Sequence, residues 1–192
     1  IHFNDEDDLE QITERTACVM VEPVQAEAGI RLPREDYLKK LRRRCDDTGT
    51  LLIFDEVQTG FGRTGSLFAM IKYGVYPDIF TIAKAMGGGM PTGAFVASRE
   101  VMEAFQKDPG LGHITTFGGH PVSVAAAHAS LRVLLDEQLV ENATSKGERY
   151  FQSLSHPRIR DMWGTGLFIA VELEGDVDGQ KAMRTFADHG LI

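Results

Sequence analysis

Two residues of opposite charge each follow a short apolar run, and together they suit a cofactor that carries an aldehyde. Lys84 lies between an apolar run and a glycine-rich turn, in TIAKAMGGG at residues 81–89. Asp55, 29 positions earlier, ends the apolar run at residues 51–54. A lysine amine condenses with an aldehyde to a Schiff base, and a carboxylate stabilises a protonated pyridine nitrogen. Taken singly, Lys84 also suits a solvated surface charge, and Asp55 suits a turn cap.

The elements around these residues predict a mostly parallel sheet. Apolar runs typical of buried strands alternate with helical patterns. The predicted strands cover residues 17–21, 51–55, 79–83 and 93–97, and the predicted helices cover 34–47 and 66–74. Glu22, Asp55 and Lys84 then all fall at the carboxyl ends of strands. Ligands of open parallel sheets bind beyond those ends, so this edge is the expected site.

The pattern changes at Pro121, which begins a long predicted helix. A second helix over about 138–154, strands over 159–163 and 166–173 and a helix over 179–189 follow. We therefore predict a domain boundary near residue 136, within this helical region. The chain starts at Ile1 and ends at Gly190-Leu191-Ile192, which resembles the start of a strand, so we expect an internal piece of a longer protein.

Composition excludes several classes of function. The net charge of −8 disfavours nucleic-acid binding, and the apolar runs are too short to cross a membrane. Cys18 and Cys45 are too far apart in sequence for a zinc site and too few for a disulfide framework, so we expect a reducing, cytoplasmic location. His113, His120 and His128 lack carboxylate or cysteine neighbours at ligand spacing, so no metal site is predicted.

Four motifs in register resemble one enzyme family. They are EPVQ at 22–25, LIFDEVQTGFGRTG at 52–65, AKAMGGG at 83–89 and TTFGGHP at 115–121. Together they resemble the class III pyridoxal-phosphate aminotransferases, the group that contains ornithine, acetylornithine and 4-aminobutyrate aminotransferases. The resemblance implies an α/β fold of the fold-type I transferases. Residues 1–136 would be the C-terminal portion of the large cofactor-binding domain, with a mostly parallel sheet, and residues 137–192 would be part of an α+β small domain.

The resemblance also implies roles in holding pyridoxal phosphate. Lys84 would bind its aldehyde and then move a proton between substrate and cofactor. Asp55 would pair with the protonated ring nitrogen, and Gln58 would donate a hydrogen bond to the phenolic oxygen. Val57 would press on one ring face, although an ordinary core valine would be buried in the same way. For Gln58 the alternative is a solvated loop residue.

Two further residues would complete the site. Thr116 resembles the threonine that binds the cofactor phosphate of the neighbouring subunit, which implies a homodimer with a shared active site; alternatively it only forms a turn. Glu27 resembles a glutamate that pairs with an arginine near the C-terminus and switches between substrate types. That arginine lies beyond Ile192, so a solvated loop glutamate is an equal alternative.

The implied reaction is transfer of an amino group from an amino or ω-amino acid to a 2-oxo acid such as 2-oxoglutarate. The first expected donor is ornithine or acetylornithine, with 4-aminobutyrate next. Two alternatives stay open at this point. One is an aminomutase or decarboxylase on the same scaffold. The other is an inactive, truncated binding module, because the family's upstream phosphate loop does not precede these motifs here.

Overall fold

The computed structural model describes residues 1–107, 110, 113–177 and 179–190. Six strands and six α-helices lie within these ranges, together with short 3-10 helices at Asp7–Gln11 and Lys84–Gly87. The strands are β1 Cys18–Val21, β2 Leu51–Asp55, β3 Ile79–Ile82, β4 Ala94–Ala97, β5 Ile159–Thr165 and β6 Phe168–Leu173. The helices are α1 Tyr37–Thr48, α2 Ala69–Tyr73, α3 Arg99–Glu103, α4 Pro121–Asp136, α5 Leu139–Ser153 and α6 Gly179–Asp188.

The first four strands form one sheet in the order β1-β2-β3-β4. β1, β2 and β3 are parallel, with Val21 opposite Phe54 and Asp55 opposite Thr81. β4 is antiparallel to β3 at the edge, with Ile82 opposite Ala94. The mostly parallel α/β sheet expected from the apolar runs is confirmed, and its register brings the ends of β1, β2 and β3 to one edge.

Helix α1 supplies much of the core beneath this sheet. Its apolar face is completely buried against Leu52 and Phe54; the buried residues are Tyr37, Leu38, Leu41 and Cys45. The helix ends at Gly49, whose φ of 68° is left-handed and strain-free for glycine. It begins at Tyr37, three residues later than the pattern predicts, because residues 34–36 form a turn instead.

The second part of the chain contains α4, α5 and an antiparallel hairpin. β5 and β6 pair from Ile159–Leu173 to Thr165–Phe168, so the turn lies at Gly166-Leu167 and not at residues 164–166. α4 ends at Asp136, and the division of the chain into domains at that residue stays a prediction. The strand start expected at residues 190–192 falls partly on Leu191 and Ile192, outside the described residues. Within the described ranges, no helix is both long and apolar enough to span a membrane.

Candidate active site

Three polar residues lie at the carboxyl ends of neighbouring strands of the sheet. Asp55 is the last residue of β2, Glu22 follows β1 directly, and Lys84 lies two residues after β3. One oxygen of Asp55 accepts the backbone N–H of Val57 at 3.0 Å, which orients the carboxylate. Glu22 is engaged in its own turn, where its Oε2 accepts the N–H of Ala26 at 3.0 Å. Glu22 and Asp55 thus each use one carboxylate oxygen to accept a backbone N–H, and both line one recess.

Lys84 has an unusual backbone conformation. Its φ is +48°, in the left-handed region that residues with a Cβ seldom adopt, and it begins the 3-10 helix Lys84–Gly87. Such strain persists where surrounding structure imposes it and is common at functional sites. The same segment packs closely against α4 at Gly88, where a Cβ would lie 2.7 Å from Ser130 Cβ and 3.1 Å from Ala126 O. Lys84, at the start of this segment, is exposed.

A buried carboxylate, Glu56, organises the loop between β2 and α2. Its side chain is fully buried and accepts the hydroxyl of Thr59 as well as the N–H groups of Ala69 at 3.0 Å and Met70 at 2.7 Å. Burial raises the pKa of Glu56, although the bonds from Thr59, Met70 and Ala69 oppose that rise. The carboxylate thus joins the start of the loop to the start of α2.

A cavity of about 610 Å³ lies between this loop and the second part of the chain. Lys84, Gln58 and Val57 line it together, and α4, α5 and the β5–β6 turn form the opposite wall. Its size is typical of cofactor sites. Asp55 instead lines an adjoining recess of about 260 Å³ with Glu22 and Gln25. The structure therefore brings three of the predicted residues into one cavity and places Asp55 beside it.

Glu27 lies on the turn that follows β1 and reaches the loop of Gln58. Gln58 Nε2 donates to Glu27 Oε1 at 3.3 Å, which joins two residues that are 31 positions apart. Glu27 is exposed and Gln58 is half-buried. A carboxylate and an amide thus meet next to the lysine cavity.

Thr116 is exposed and apart from the other predicted residues. Its neighbours Thr115, Phe117, Gly118 and Gly119 line a separate cavity of about 730 Å³. That cavity also contains Thr81 of β3, but Lys84 does not line it. Within one chain, therefore, Thr116 and Lys84 do not share a cavity.

The sequence did not predict a role for two residues of this region. Glu56 is adjacent to Asp55 and has the same charge, so nothing local indicates that one is buried and the other open. Trp163, half-buried on β5, donates from Nε1 to the carbonyls of Gly29 at 3.0 Å and Ile30 at 3.1 Å. The only signal for Trp163 is that it is the one tryptophan of the chain.

Away from the sheet edge, His2, Asp5 and Asp8 place possible metal ligands within 4.8 Å of one another. His2 and Asp5 are exposed, and His2 Nδ1 forms an ion pair with Asp8 at 2.6 Å. Hydrogen bonds from the backbone and then the side chain of His2 lower the pKa of Asp8. The His–Asp pair accounts for this cluster without an ion.

Comparison with known proteins matches residues 4–192 to the class-III aminotransferases, nearly the whole chain. The chain belongs to the class-III aminotransferase family. This confirms the resemblance drawn from the four motifs. The roles of individual residues at the sheet edge are a separate matter and stay predictions.

Curated relatives of this class-III chain include amino-acid aminotransferases. It is 46% identical over 200 residues to acetylornithine aminotransferase from Methanocaldococcus jannaschii, covering 100% of this chain and 48% of the relative. It is 44% identical over 178 residues to ornithine aminotransferase 2 from Staphylococcus aureus, covering 90% of this chain and 44% of that protein. The chain therefore spans about half the length of the curated relatives it matches.

Solved structures show the same fold. Ornithine aminotransferase from Toxoplasma gondii superposes with a TM-score of 0.89 at 34% identity, covering 99% of this chain and 46% of that one. That structure is described as having partial occupancy of pyridoxal phosphate at the active site. The α/β architecture predicted for this class-III chain is thereby confirmed.

Proposed function

We propose that this chain forms part of a pyridoxal-phosphate-dependent aminotransferase that transfers an amino group from an ornithine-like or acetylornithine-like donor to a 2-oxo acid such as 2-oxoglutarate. The observation that carries the proposal is the strained Lys84, which shares one cavity with Gln58 and Val57 beside the carboxylate of Asp55. The names of the relatives support the choice of donor.

The groups present fit pyridoxal phosphate. Its aldehyde can react with the amine of Lys84, and its ring nitrogen can pair with the carboxylate of Asp55. Its phenolic oxygen can accept a hydrogen bond from the amide N–H of Gln58. The cavity of about 610 Å³ is of the size such a ligand requires. When bound, the cofactor supplies an electron sink for the carbon that loses its proton.

The protein groups would hold the cofactor and move the proton. The Nζ of Lys84 would anchor the cofactor covalently until the substrate amine displaces it. The free amine would then move a proton between a carbon of the substrate and the cofactor. Asp55 would keep the ring nitrogen protonated, because a nearby carboxylate stabilises the cationic form. Gln58 Nε2 would donate to the phenolic oxygen without adding charge, and Val57 would pack against the ring face.

We further propose that Glu27 contacts the substrate. Its carboxylate is exposed and 3.3 Å from Gln58, which places it beside the cofactor residues. A carboxylate at that position suits the second amino group of an ornithine-like donor, since opposite charges attract more strongly near a low-dielectric cavity wall.

Thr116 fits a shared site in a homodimer. It is exposed, it does not line the Lys84 cavity of its own chain, and its neighbours Ile114 and Phe117 are exposed apolar residues that another subunit would cover. A threonine hydroxyl near Gly118 and Gly119 suits a phosphate, because hydroxyl and backbone N–H groups together bind anions. We therefore assign Thr116 to the cofactor of the partner subunit.

We place the protein in the cytoplasm on the basis of its cysteines. Cys18 and Cys45 are both free thiols, and Cys45 is buried in the core beneath the sheet. Free thiols are typical of reducing compartments.

The test is a pyridoxal-phosphate titration of the purified protein, followed by visible absorbance, with Lys84→Ala and Lys72→Ala in parallel. Lys72 is an exposed lysine on α2 and serves as the matched control. We expect a saturable band in the wild type and in Lys72→Ala, and its loss in Lys84→Ala. A band of equal strength in Lys84→Ala would contradict the assignment of Lys84.

The reaction itself is tested by incubating the loaded protein with labelled ornithine or acetylornithine and 2-oxoglutarate. We expect the label to pass to glutamate. Loss of carbon dioxide or an internally rearranged amino acid would indicate a different reaction on the same scaffold.

A further inference from the structure

The turn that presents Glu27 is strained. Gly29 and Ile30 have φ values of 96° and 54°, and both N–H groups donate to Ala26 O at 3.1 Å. A positive φ is ordinary for glycine but rare for a β-branched residue such as Ile30. A conformation of this kind persists only when other contacts impose it. The turn therefore requires contacts beyond its own hydrogen bonds.

The indole of Trp163 provides such contacts. Its Nε1–H lies between the carbonyls of Gly29 at 3.0 Å and Ile30 at 3.1 Å, so one donor serves both strained residues. At the base of the turn, Gln25 and Arg31 exchange two backbone hydrogen bonds of 3.0 and 2.9 Å. The base is thus held by its own backbone, whereas the tip is held from β5, more than 130 residues away.

The hairpin that carries Trp163 is also attached to the loop of Gln58. Thr165 Oγ1 donates to Thr64 O at 3.1 Å, and the N–H of Leu167 donates to Arg63 O at 3.0 Å. A Cβ on Gly166 would lie 2.5 Å from the Gly65 nitrogen, so only glycine permits this approach. Both loops therefore have the β5–β6 hairpin as a common support.

We propose that Trp163 is a positioning residue that sets the place of Glu27 relative to Gln58. The 3.3 Å contact between Glu27 and Gln58 is the point at which the two supported loops meet. Without the indole N–H, the tip of the turn relaxes and Glu27 moves away from the cavity. Its consequence for catalysis rests on the proposed function, in which Glu27 binds the amino donor.

The contact is tested first in the unaltered protein. Because Trp163 is the only tryptophan, its indole N–H gives a single NMR signal. We expect this proton to be protected from exchange with solvent and to show a nuclear Overhauser effect to Ile30. A rapidly exchanging indole proton without that effect would overturn the proposal, and this measurement requires no variant that could misfold.

The positioning role is tested by amide hydrogen exchange in Trp163→Phe. We expect exchange at residues 25–31 to accelerate about tenfold, the effect of losing one hydrogen bond, while β1 and β2 stay unchanged. Trp163→His, which keeps a ring N–H, should restore part of the protection. The matched control is Arg160→Ala on the same strand, which removes only an exposed ion pair with Glu172. Acceleration of equal size in Arg160→Ala, or none in Trp163→Phe, would refute the role.

The catalytic consequence is measured in the pyridoxal-phosphate-loaded enzyme. Trp163→Phe should raise the KM for the amino donor about tenfold, with kcat and cofactor affinity unchanged within about twofold. The reason is that the lost contact of Glu27 would stabilise the bound donor equally in the ground state and in the transition state. An unchanged KM, or a fall in kcat alone, would contradict the positioning of Glu27. If the wild type transfers no amino group, the proposed function fails, whereas the exchange experiment still decides whether Trp163 holds the turn.

Discussion

Asp55 and Glu56 are neighbours in sequence but differ in burial. Asp55 is half-buried at the end of β2, whereas Glu56 is fully buried and accepts three hydrogen bonds. Asp55 is the last residue of β2, whereas Glu56 follows the strand and is held by Thr59 and by the backbone N–H groups of Ala69 and Met70 at the start of α2. The open one suits chemistry, and the buried one suits the support of the Gln58 loop.

We predict that Glu56→Gln destabilises the fold by about 1–3 kcal/mol below pH 4.5, because the amide NH2 cannot accept a hydrogen bond and one of the three donors around Glu56 would lose its acceptor. Since burial raises the pKa of Glu56, the folded state binds its proton more tightly than the unfolded state. That contribution is fully present below the unfolded-state pKa and is lost as pH rises through the folded-state pKa. The difference in unfolding free energy between wild type and variant should therefore shrink toward pH 8.

The measurement is urea unfolding of both proteins at each pH. Glu14→Gln, at an exposed glutamate, is the matched control and should change little. A difference that grows with pH would show that Glu56 is not held in the way described.

At the scale of elements, α4 packs against the segment after β3 that carries Lys84. Gly88 is left-handed, with φ +56°, and lies directly against Ser130 and Ala126 of α4. Gly89 is also left-handed, with φ +96°, but a Cβ there would meet nothing within 4 Å. Both glycines have a positive φ, but only Gly88 is in close steric contact with α4. Comparing alanine substitutions at the two positions therefore distinguishes the effect of steric contact from that of backbone strain.

We predict that Gly88→Ala lowers the free energy of unfolding by about 1–3 kcal/mol more than Gly89→Ala does, because it adds overpacking to the strain that both share. It should also weaken the pyridoxal-phosphate absorbance band, since the displaced segment carries Lys84. Denaturant unfolding and cofactor titration of the two variants test this. Equal effects of the two substitutions would mean that α4 does not constrain the lysine.

At the scale of the whole molecule, large apolar side chains on both sides of Thr116 in the sequence are exposed. Ile114 is 75% and Phe117 is 79% exposed, and Val122 and Val124 at the start of α4 are also exposed. Contiguous apolar patches of this kind mark interaction surfaces. Because Thr116 lies among them, the patch and the proposed partner-facing phosphate contact belong to one surface.

We predict that Phe117→Asp shifts the protein from dimer toward monomer, because an interface that buries the added carboxylate must desolvate it. Sedimentation velocity at several concentrations measures the shift. Ile71→Asp, which also replaces an exposed apolar side chain but on α2, is the matched control. A monomeric wild type, or equal dissociation in both variants, would contradict a homodimer built on this surface.

The sequence by itself determined the family, the mostly parallel sheet and the position of Asp55 and Lys84 at the ends of neighbouring strands. These features reflect interactions among a few neighbouring residues: apolar runs, a glycine just after a helix such as Gly49, and motif spacings. They can therefore be recognised from the sequence alone. The assignments of Gln58, Val57, Thr116 and Glu27 also come from the sequence, by resemblance, and await the experiments above.

Only the tertiary structure decided which of two adjacent carboxylates is buried, that Lys84 is left-handed, and that Trp163 supports the Glu27 turn. Each depends on a partner far away in the chain: α2 for Glu56, α4 for the Lys84 segment, and Gly29 and Ile30 for Trp163. Strain at Lys84 and Ile30 opposes local preference, so no local pattern predicts it. Packing across the fold selects these conformations, because the gain in distant contacts exceeds the local cost.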